Sequence, residues 1–221
     1  MKIGIVTIGQ SPRPDVVGEI TRVLGSGHEV VEAGALDGLT LEELSGMRPA
    51  RGNDVLVTRM RDGTEVKVTH DLVCPLIQER ITELDDRGVG IILLLCTGKF
   101  PKFEAKSLIV TPSEIVRGCT AATIREGRLG MIYPSIQQVG GKPAERQDGN
   151  LVTYLDAASP YEPMEEIEKL GDRLAKRDLD LIVLNCMGFS HEHKRVVKEK
   201  TGKTVIQSSS LVGRVLKELV S

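Results

Sequence analysis

Arg87-Gly88-Val89-Gly90-Ile91-Ile92-Leu93-Leu94-Leu95-Cys96-Thr97-Gly98 aligns without a gap on Arg177-Asp178-Leu179-Asp180-Leu181-Ile182-Val183-Leu184-Asn185-Cys186-Met187-Gly188, with Arg, Cys and Gly recurring at a constant offset of 90. Each stretch is an apolar run without alternation, as expected of a parallel strand covered on both faces. The strands that open the two halves echo as well: Lys2-Ile3-Gly4-Ile5-Val6 resembles Arg128-Leu129-Gly130-Met131-Ile132. Gly4 to Cys96 spans 92 residues, whereas Gly130 to Cys186 spans 56, so the first half carries an insertion. That insertion falls in 34–70, where Val55–Thr58 and Glu65–Val68 flank Asp62-Gly63, a β-hairpin signal.

Outward from these runs, strand and helix patterns alternate. Helices are expected over Asp15–Leu24 with Asp15 as cap, Asp71–Leu84, Ser113–Arg125, Met164–Lys176, Ser190–Lys200 with Ser190 as cap, and Leu211–Val220. Further strands are expected at His28–Ala33, Ser107–Val110, Asn150–Leu155 and Thr204–Ile206. Such alternation gives an α/β protein with parallel sheets and helices on both faces. The fold class is therefore α/β with two similar Rossmann-like lobes, the first carrying a β-hairpin insertion. The expected division is 1–98 plus 204–221 for the N-terminal lobe and 99–203 for the second, with a cleft between them.

Composition narrows the function. With 29 Lys+Arg against 31 Asp+Glu and 3% aromatic residues among 221, no basic, aromatic-interleaved surface marks a nucleic-acid partner. No apolar run reaches the roughly 18 residues of a membrane helix, and the N-terminus enters a strand rather than a signal segment. A cytoplasmic chain with free thiols at Cys74, Cys96, Cys119 and Cys186 is expected. Cys74 and Cys119 fall in helical patterns and are expected to be packing residues. Neither phosphate-loop nor dinucleotide-loop spacing follows the first strand. His191-Glu192-His193 lacks further ligands at zinc spacing, so no metal is expected.

Cys96 and Cys186 each end a parallel strand, where open α/β sheets bind ligands. The residues that follow, Thr97-Gly98 and Met187-Gly188, offer backbone amides near a helix start, a setting that lowers thiol pKa. Two opposed thiols suit removal of a proton from one face of a carbon and delivery to the other. Two small buried hydrophobes are the structural alternative. Arg13 could fork onto a substrate carboxylate, Ser11 and Thr97 could donate to it, Gln10 and Gln137 could extend the set, and His191 could serve as a base beside Cys186.

Gly9-Gln10-Ser11-Pro12-Arg13, Gly34-Ala35-Leu36-Asp37-Gly38, Cys96-Thr97-Gly98, Ser159-Pro160-Tyr161 and Asn185-Cys186-Met187-Gly188-Phe189 resemble the AroM family across essentially the whole chain. The duplicated strand-to-Cys pattern resembles, more distantly, the aspartate/glutamate/hydantoin racemase superfamily. That resemblance implies two Rossmann-like lobes, no pyridoxal phosphate or other cofactor, and one catalytic Cys per lobe, here Cys96 and Cys186. It maps carboxylate-binding hydroxyls onto Ser11 and Thr97. The implied activity is a cofactor-independent racemase- or epimerase-type isomerase acting on a small carboxylate, such as an amino acid or related acid. Arg13, Gln10, Gly98, Met187 and Gly188 complete the expected substrate-binding set, and a homodimer is the expected assembly. A Cys-dependent lyase or hydrolase, and a non-catalytic binder of small carboxylates, stay open as alternatives.

Overall fold

Gly4 and Gly130 hold the same position in two sheets, and the space each leaves is filled by equivalent side chains. The computed structural model describes residues 1–45 and 55–221. In chain order the elements are β1 (Lys2–Thr7), α1 (Pro14–Leu24), β2 (Glu29–Gly34), α2 (Leu41–Ser45), β3 (Leu56–Arg59), β4 (Glu65–Val68), α3 (His70–Asp86), β5 (Ile91–Leu94) and β6 (Leu108–Val110). There follow α4 (Pro112–Thr123), β7 (Gly127–Tyr133), β8 (Ala144–Asp148), β9 (Leu151–Ala157), α5 (Met164–Ala175), β10 (Leu181–Leu184), α6 (His191–Thr201), β11 (Thr204–Gln207) and α7 (Ser208–Val220).

The first sheet has the order β2-β1-β5-β6, and the second, read from its polar edge, β8-β9-β7-β10-β11. Removing β8 leaves the same topology twice, with every remaining pair parallel. Gly4 pairs with Ile92 and Gly130 with Ile182. A Cβ on Gly4 would lie 3.3 Å from Val89 and 3.2 Å from Ile92; on Gly130 it would meet Leu179 at 2.9 Å and Ile182 at 3.5 Å. These neighbours are themselves related by the offset of 90. The strand exits match too: the Leu95 amide donates to the Val6 carbonyl at 2.7 Å, and the Asn185 amide to that of Ile132 at 2.8 Å. The internal duplication is therefore built into packing and hydrogen bonding.

Three apolar layers follow. The inner faces of both sheets, through Ile3, Ile5, Ile91 and Leu93 on one side and Leu129, Leu181 and Val183 on the other, bury α1, α4 and α7 between them. Helix α1 contributes Val16, Val17, Ile20 and Leu24, at a gross gain of roughly 1.5–3 kcal/mol per side chain. The outer face of the first sheet packs against Val73, Ile77, Ile81 and Leu84 of α3. That of the second packs Ile132, Ile182 and Leu184 against α5 and α6.

The structure differs from the sequence expectations at identifiable points. Asp15 is not the cap of α1: Arg13 holds that place, and Pro14, with φ preset for the first turn, starts the helix. Ser190 does cap α6, accepting from the His193 amide while His193 Nδ1 accepts from the Ser190 amide. Strand β8, Ala-Glu-Arg-Gln-Asp, pairs antiparallel with β9 and was not expected. Two short strands sit with the other sheet from the lobe boundaries drawn above: β6 pairs with β5 in the first sheet and β11 with β10 in the second.

The β3–β4 hairpin turns at Gly63, whose φ of +91° favours glycine. It presses so close to Gly9 that a Cβ there would collide with Thr58 and Arg59. It also ties the two halves together: Gln138 Nε2 donates to the Val55 carbonyl at 2.8 Å, and the Ser159 hydroxyl donates to Glu65. The insertion is a clamp across the carboxyl ends of both sheets.

Candidate active site

Strands β5 and β10 each run straight into a Cys-x-Gly turn. The Gly98 amide donates to Cys96 Sγ at 3.3 Å and the Gly188 amide to Cys186 Sγ at 3.5 Å, the same contact made twice. Both cysteines line one cavity of about 280 Å³, closed on its flank by Val55, Leu56 and Val57 of the hairpin segment. His70, Tyr133 and Gln138 face the same space, with Lys99. A narrower pocket behind it again touches both cysteines, with Arg13, Thr58, Tyr161, Met187 and Gly188. A larger hollow of about 490 Å³ beside Phe100 and Lys102 touches neither thiol.

A fixed cation stands at the base of the site. Arg13 is buried; its Nε and Nη2 donate to Asp15 at 2.9 and 2.8 Å, Nη2 also to the Tyr161 hydroxyl at 3.0 Å, and Nη1 to Thr7 and Thr58 at 3.4 and 3.5 Å. The guanidinium is also 5.5 Å from the Tyr161 ring centroid, and that of Arg59 is 4.9 Å from it. Burial lowers the Arg13 pKa, but Asp15 and Tyr161 outweigh it, so the group is held charged. Burial opposes ionisation of Asp15, yet the hydrogen bonds and charge of Arg13, with Arg59, bring its carboxyl below the usual range. The Tyr161 phenol is raised by burial and by the nearby Cys186.

Burial works against ionisation of both thiols. Burial pushes Cys96 up to about 12 and Cys186 up to about 11, against the Gly98 and Gly188 amides and the Arg13 charge, which pull the other way. Two features of the sequence expectation are thereby corrected. No helix follows Cys96; residues 95–107 lead directly to β6. Helix α6 starts five residues beyond Cys186, too far for its first amides to touch the sulfur, and the contact comes from the turn instead.

Of the expected substrate-binding residues, Thr97 and Gly98 line the thiol cavity, while Arg13, Met187 and Gly188 line the narrow pocket behind it. Thr97 Oγ1 donates to the Asn185 carbonyl at 3.0 Å, a bridge between the two turns. Ser11 and Gln10 border neither space. The Ser11 hydroxyl donates to Asp37 Oδ2 at 2.6 Å and its amide to Oδ1 at 2.8 Å. Gln10 donates to the Leu36 and Leu39 carbonyls and accepts from the Arg61 amide. Both hold the 34–39 turn. His191 is exposed at the start of α6, and Gln138 rather than Gln137 faces the cavity. Tyr161, His70 and Lys99 were missed; only Tyr161 lay within a motif, Ser159-Pro160-Tyr161. Cys74 and Cys119 sit in α3 and α4. Among the described residues no group of three His, Cys, Asp or Glu is arranged to hold a metal, and no helix is long and apolar enough to cross a membrane.

A family model described as AroM protein matches residues 3–220. No curated protein matches the chain significantly. Among solved structures, allantoin racemase from Klebsiella pneumoniae superposes with a TM-score of 0.60 at 14% identity, over 99% of this chain and 87% of that one. Glutamate racemase from Aquifex pyrophilus gives 0.58 at 18%, over 100% and 84%. An arylmalonate decarboxylase gives 0.57 at 16%, over 99% and 92%. At these identities the likeness is one of fold: two lobes of the racemase type, as the duplicated pattern implied.

Proposed function

The chain belongs to the AroM family, and from that premise and the two-thiol cavity we propose that it is a cofactor-independent isomerase of the racemase or epimerase type, acting on a small carboxylate. The observation that carries the proposal is the pair of equivalent Cys-x-Gly turns, one from each half of the duplication, opening onto a single cavity. The two racemases among the structural neighbours support the same class, and the decarboxylase shares their fold.

Substrate carbon sits between the sulfurs, with its carboxylate toward Lys99, beside a wall formed by Thr97, whose hydroxyl is held by the Asn185 carbonyl. Arg13 is not the carboxylate fork, because its donors are committed to Asp15, Tyr161, Thr7 and Thr58; it is the fixed charge that favours thiolate. Cys186, the lower of the two thiols, ionises first, and one thiolate then opposes ionisation of the other. Cys186 thiolate takes the proton from one face: the C–H bond breaks, an S–H bond forms, and the electron pair stays on carbon, spread into the carboxylate. Cys96 gives its proton to the opposite face, leaving Cys96 as thiolate and the centre inverted. A proton passing between the sulfurs resets the site. Ionising Cys186 at pH 7 costs about 5 kcal/mol, four units at ~1.36 kcal/mol each, which the bound complex must offset. A cytoplasmic location and a homodimer belong to the same proposal.

The burial of Cys186 favours a second reading, a carboxylate-binding protein that keeps its thiols protonated and does no chemistry. Incubation of the protein with small chiral carboxylates in heavy water separates the two. The isomerase exchanges the α-proton of its substrate, Cys186→Ser abolishes exchange, and Cys96→Ser retains exchange without inversion. Shielding of the thiols by a carboxylate that shows no exchange would leave the binder.

A further inference from the structure

The thiol cavity shares three of its walls, Thr97, Tyr133 and Asn185, with a second space of about 350 Å³. This annexe lies between α4, through Val116 and Thr120 with Ile124 just past the helix end, and the inner face of the second sheet, through Met131 and Leu151. Leu151 pairs with Gly127 and Tyr133 with Ala157, so these two side chains mark opposite ends of β7. At 3.3 Å per residue that separation is on the order of 20 Å. The annexe is thus a slot that begins at Thr97 and Asn185, the chain neighbours of the two cysteines, and runs along the sheet. Val116, Ala121, Ile124, Met131 and Leu151 give it an apolar floor among polar neighbours, as in sites that take an apolar group and fix it with a few polar atoms. One such atom is present: the hydroxyl of Thr120, 6% exposed, is buried with no hydrogen-bond partner among the described residues. A helical threonine ordinarily returns its hydroxyl to the preceding turn. Left unpaired, it is a buried polar group awaiting a partner.

We propose that this slot is the side-chain subsite of the enzyme, and that the substrate is a carboxylate bearing an extended apolar substituent with one hydrogen-bonding atom at Thr120. The inference rests on the reading that a carboxylate occupies the space between Cys96 and Cys186. It adds the substrate class: a compact acid such as acetate fills only the cavity, whereas an acid with an arylalkyl or long aliphatic chain reaches past Tyr133 into the slot. Arg117, exposed and paired with Glu114, stands beside its outer rim.

The test uses 4-phenylbutyrate and acetate as probes of the full-length protein. Two readouts are followed: protection of Cys186 from slow alkylation at pH 9, and the NMR signal of the 13C-labelled Met131 methyl, assigned through Met131→Leu. The expected result is that 4-phenylbutyrate protects at about one-tenth the concentration of acetate and alone moves Met131. Ala121→Trp fills the slot from the exposed face of α4, so it should remove the tenfold advantage and leave protection by acetate intact. Equal protection by both acids, or an advantage that survives Ala121→Trp, overturns the subsite. So does a Met131 signal that follows protein concentration instead of acid, which would put a second copy in the slot. If neither acid protects the thiols, the carboxylate reading itself fails. Movement of Met131 by 4-phenylbutyrate would then still establish the slot as an apolar-acid site, and its absence would remove that too.

Discussion

Alkylation of the resting protein tests the electrostatics of the thiol pair directly. At pH 8 an ordinary thiol with a pKa near 8.5 is about a quarter ionised. Cys186, at about 11, is then ionised to roughly one part in a thousand, and Cys96, at about 12, to roughly one in ten thousand. Thiolate supply alone slows them about 240-fold and 2,400-fold. A more basic thiolate is also a better nucleophile, with a Brønsted slope of about 0.4–0.5. That returns roughly 12-fold for Cys186 and 40-fold for Cys96. The net expectation is alkylation by iodoacetamide about 20-fold slower at Cys186 and about 60-fold slower at Cys96 than at the same cysteines in the urea-unfolded chain. Restricted access slows them further. Peptide mass spectrometry over time gives each rate, and both rates should go on climbing beyond pH 10. A Cys186 that reacts as fast as its unfolded counterpart at pH 8, or levels off below pH 9, would refute the burial argument and restore the activated thiolate that the sequence alone suggests.

Three further outcomes follow from the packing and the charge network. Gly130→Ala drives a methyl onto Leu179 and should cost about 1–3 kcal/mol in urea unfolding; a neutral result would mean that the duplicated close approach is not a constraint. Ser11→Ala breaks the bond to Asp37 and should lose about 1–2 kcal/mol, with protection of the thiols by carboxylates unchanged; weakened protection would return Ser11 to the binding site. Asp15→Asn should cost roughly 2–3 kcal/mol near neutral pH, because it leaves buried Arg13 without its carboxylate, the gain being moderated by partial exposure of Asp15. Since the Asp15 pKa is lowered on folding, this contribution is fully present above the unfolded value of about 3.9 and is lost as pH falls through the folded one. The wild-type advantage should therefore shrink in acid titration, and an advantage that grows as pH falls would contradict the pairing.

The strands that carry Cys96 and Cys186 were legible because a strand buried on both faces must be apolar at every position, and two such runs with a matching Cys and Gly leave a strong trace. The glycines at 4 and 130 added the register. Strand β8 left none: Ala144–Asp148 is a largely exposed edge whose polar side chains carry no alternation. Ser11 was misplaced for a different reason. Its neighbour in the chain is a plausible carboxylate ligand, but its partner, Asp37, lies 26 residues away on another turn, and no local pattern reveals which acceptor a hydroxyl will meet. The same holds for Arg13, which lines a pocket with both cysteines but has its donors taken by Asp15, Tyr161, Thr7 and Thr58. His70 and Gln138 reach the cavity only through the hairpin clamp and the packing of α3, contacts between segments that spacing does not encode.

Helices α1, α4 and α7 fill the space between the two sheets and share one apolar cluster with both. The repeat in the sequence is consequently not a repeat in folding. Neither half holds a complete interior: stopping the chain before Ser208 would bare the seats of Val212 and Leu216 on α1, and isolating 1–111 would leave Ile3, Ile5, Ile91 and Leu93 half covered. Melting should be a single cooperative event, and a split chain should gain order only when its pieces are mixed. An ancestor carrying one copy of the unit would have met the same shortage of cover, and pairing with itself is the simplest remedy, so the present molecule reads as a homodimer fused into one chain and then made unequal by a hairpin.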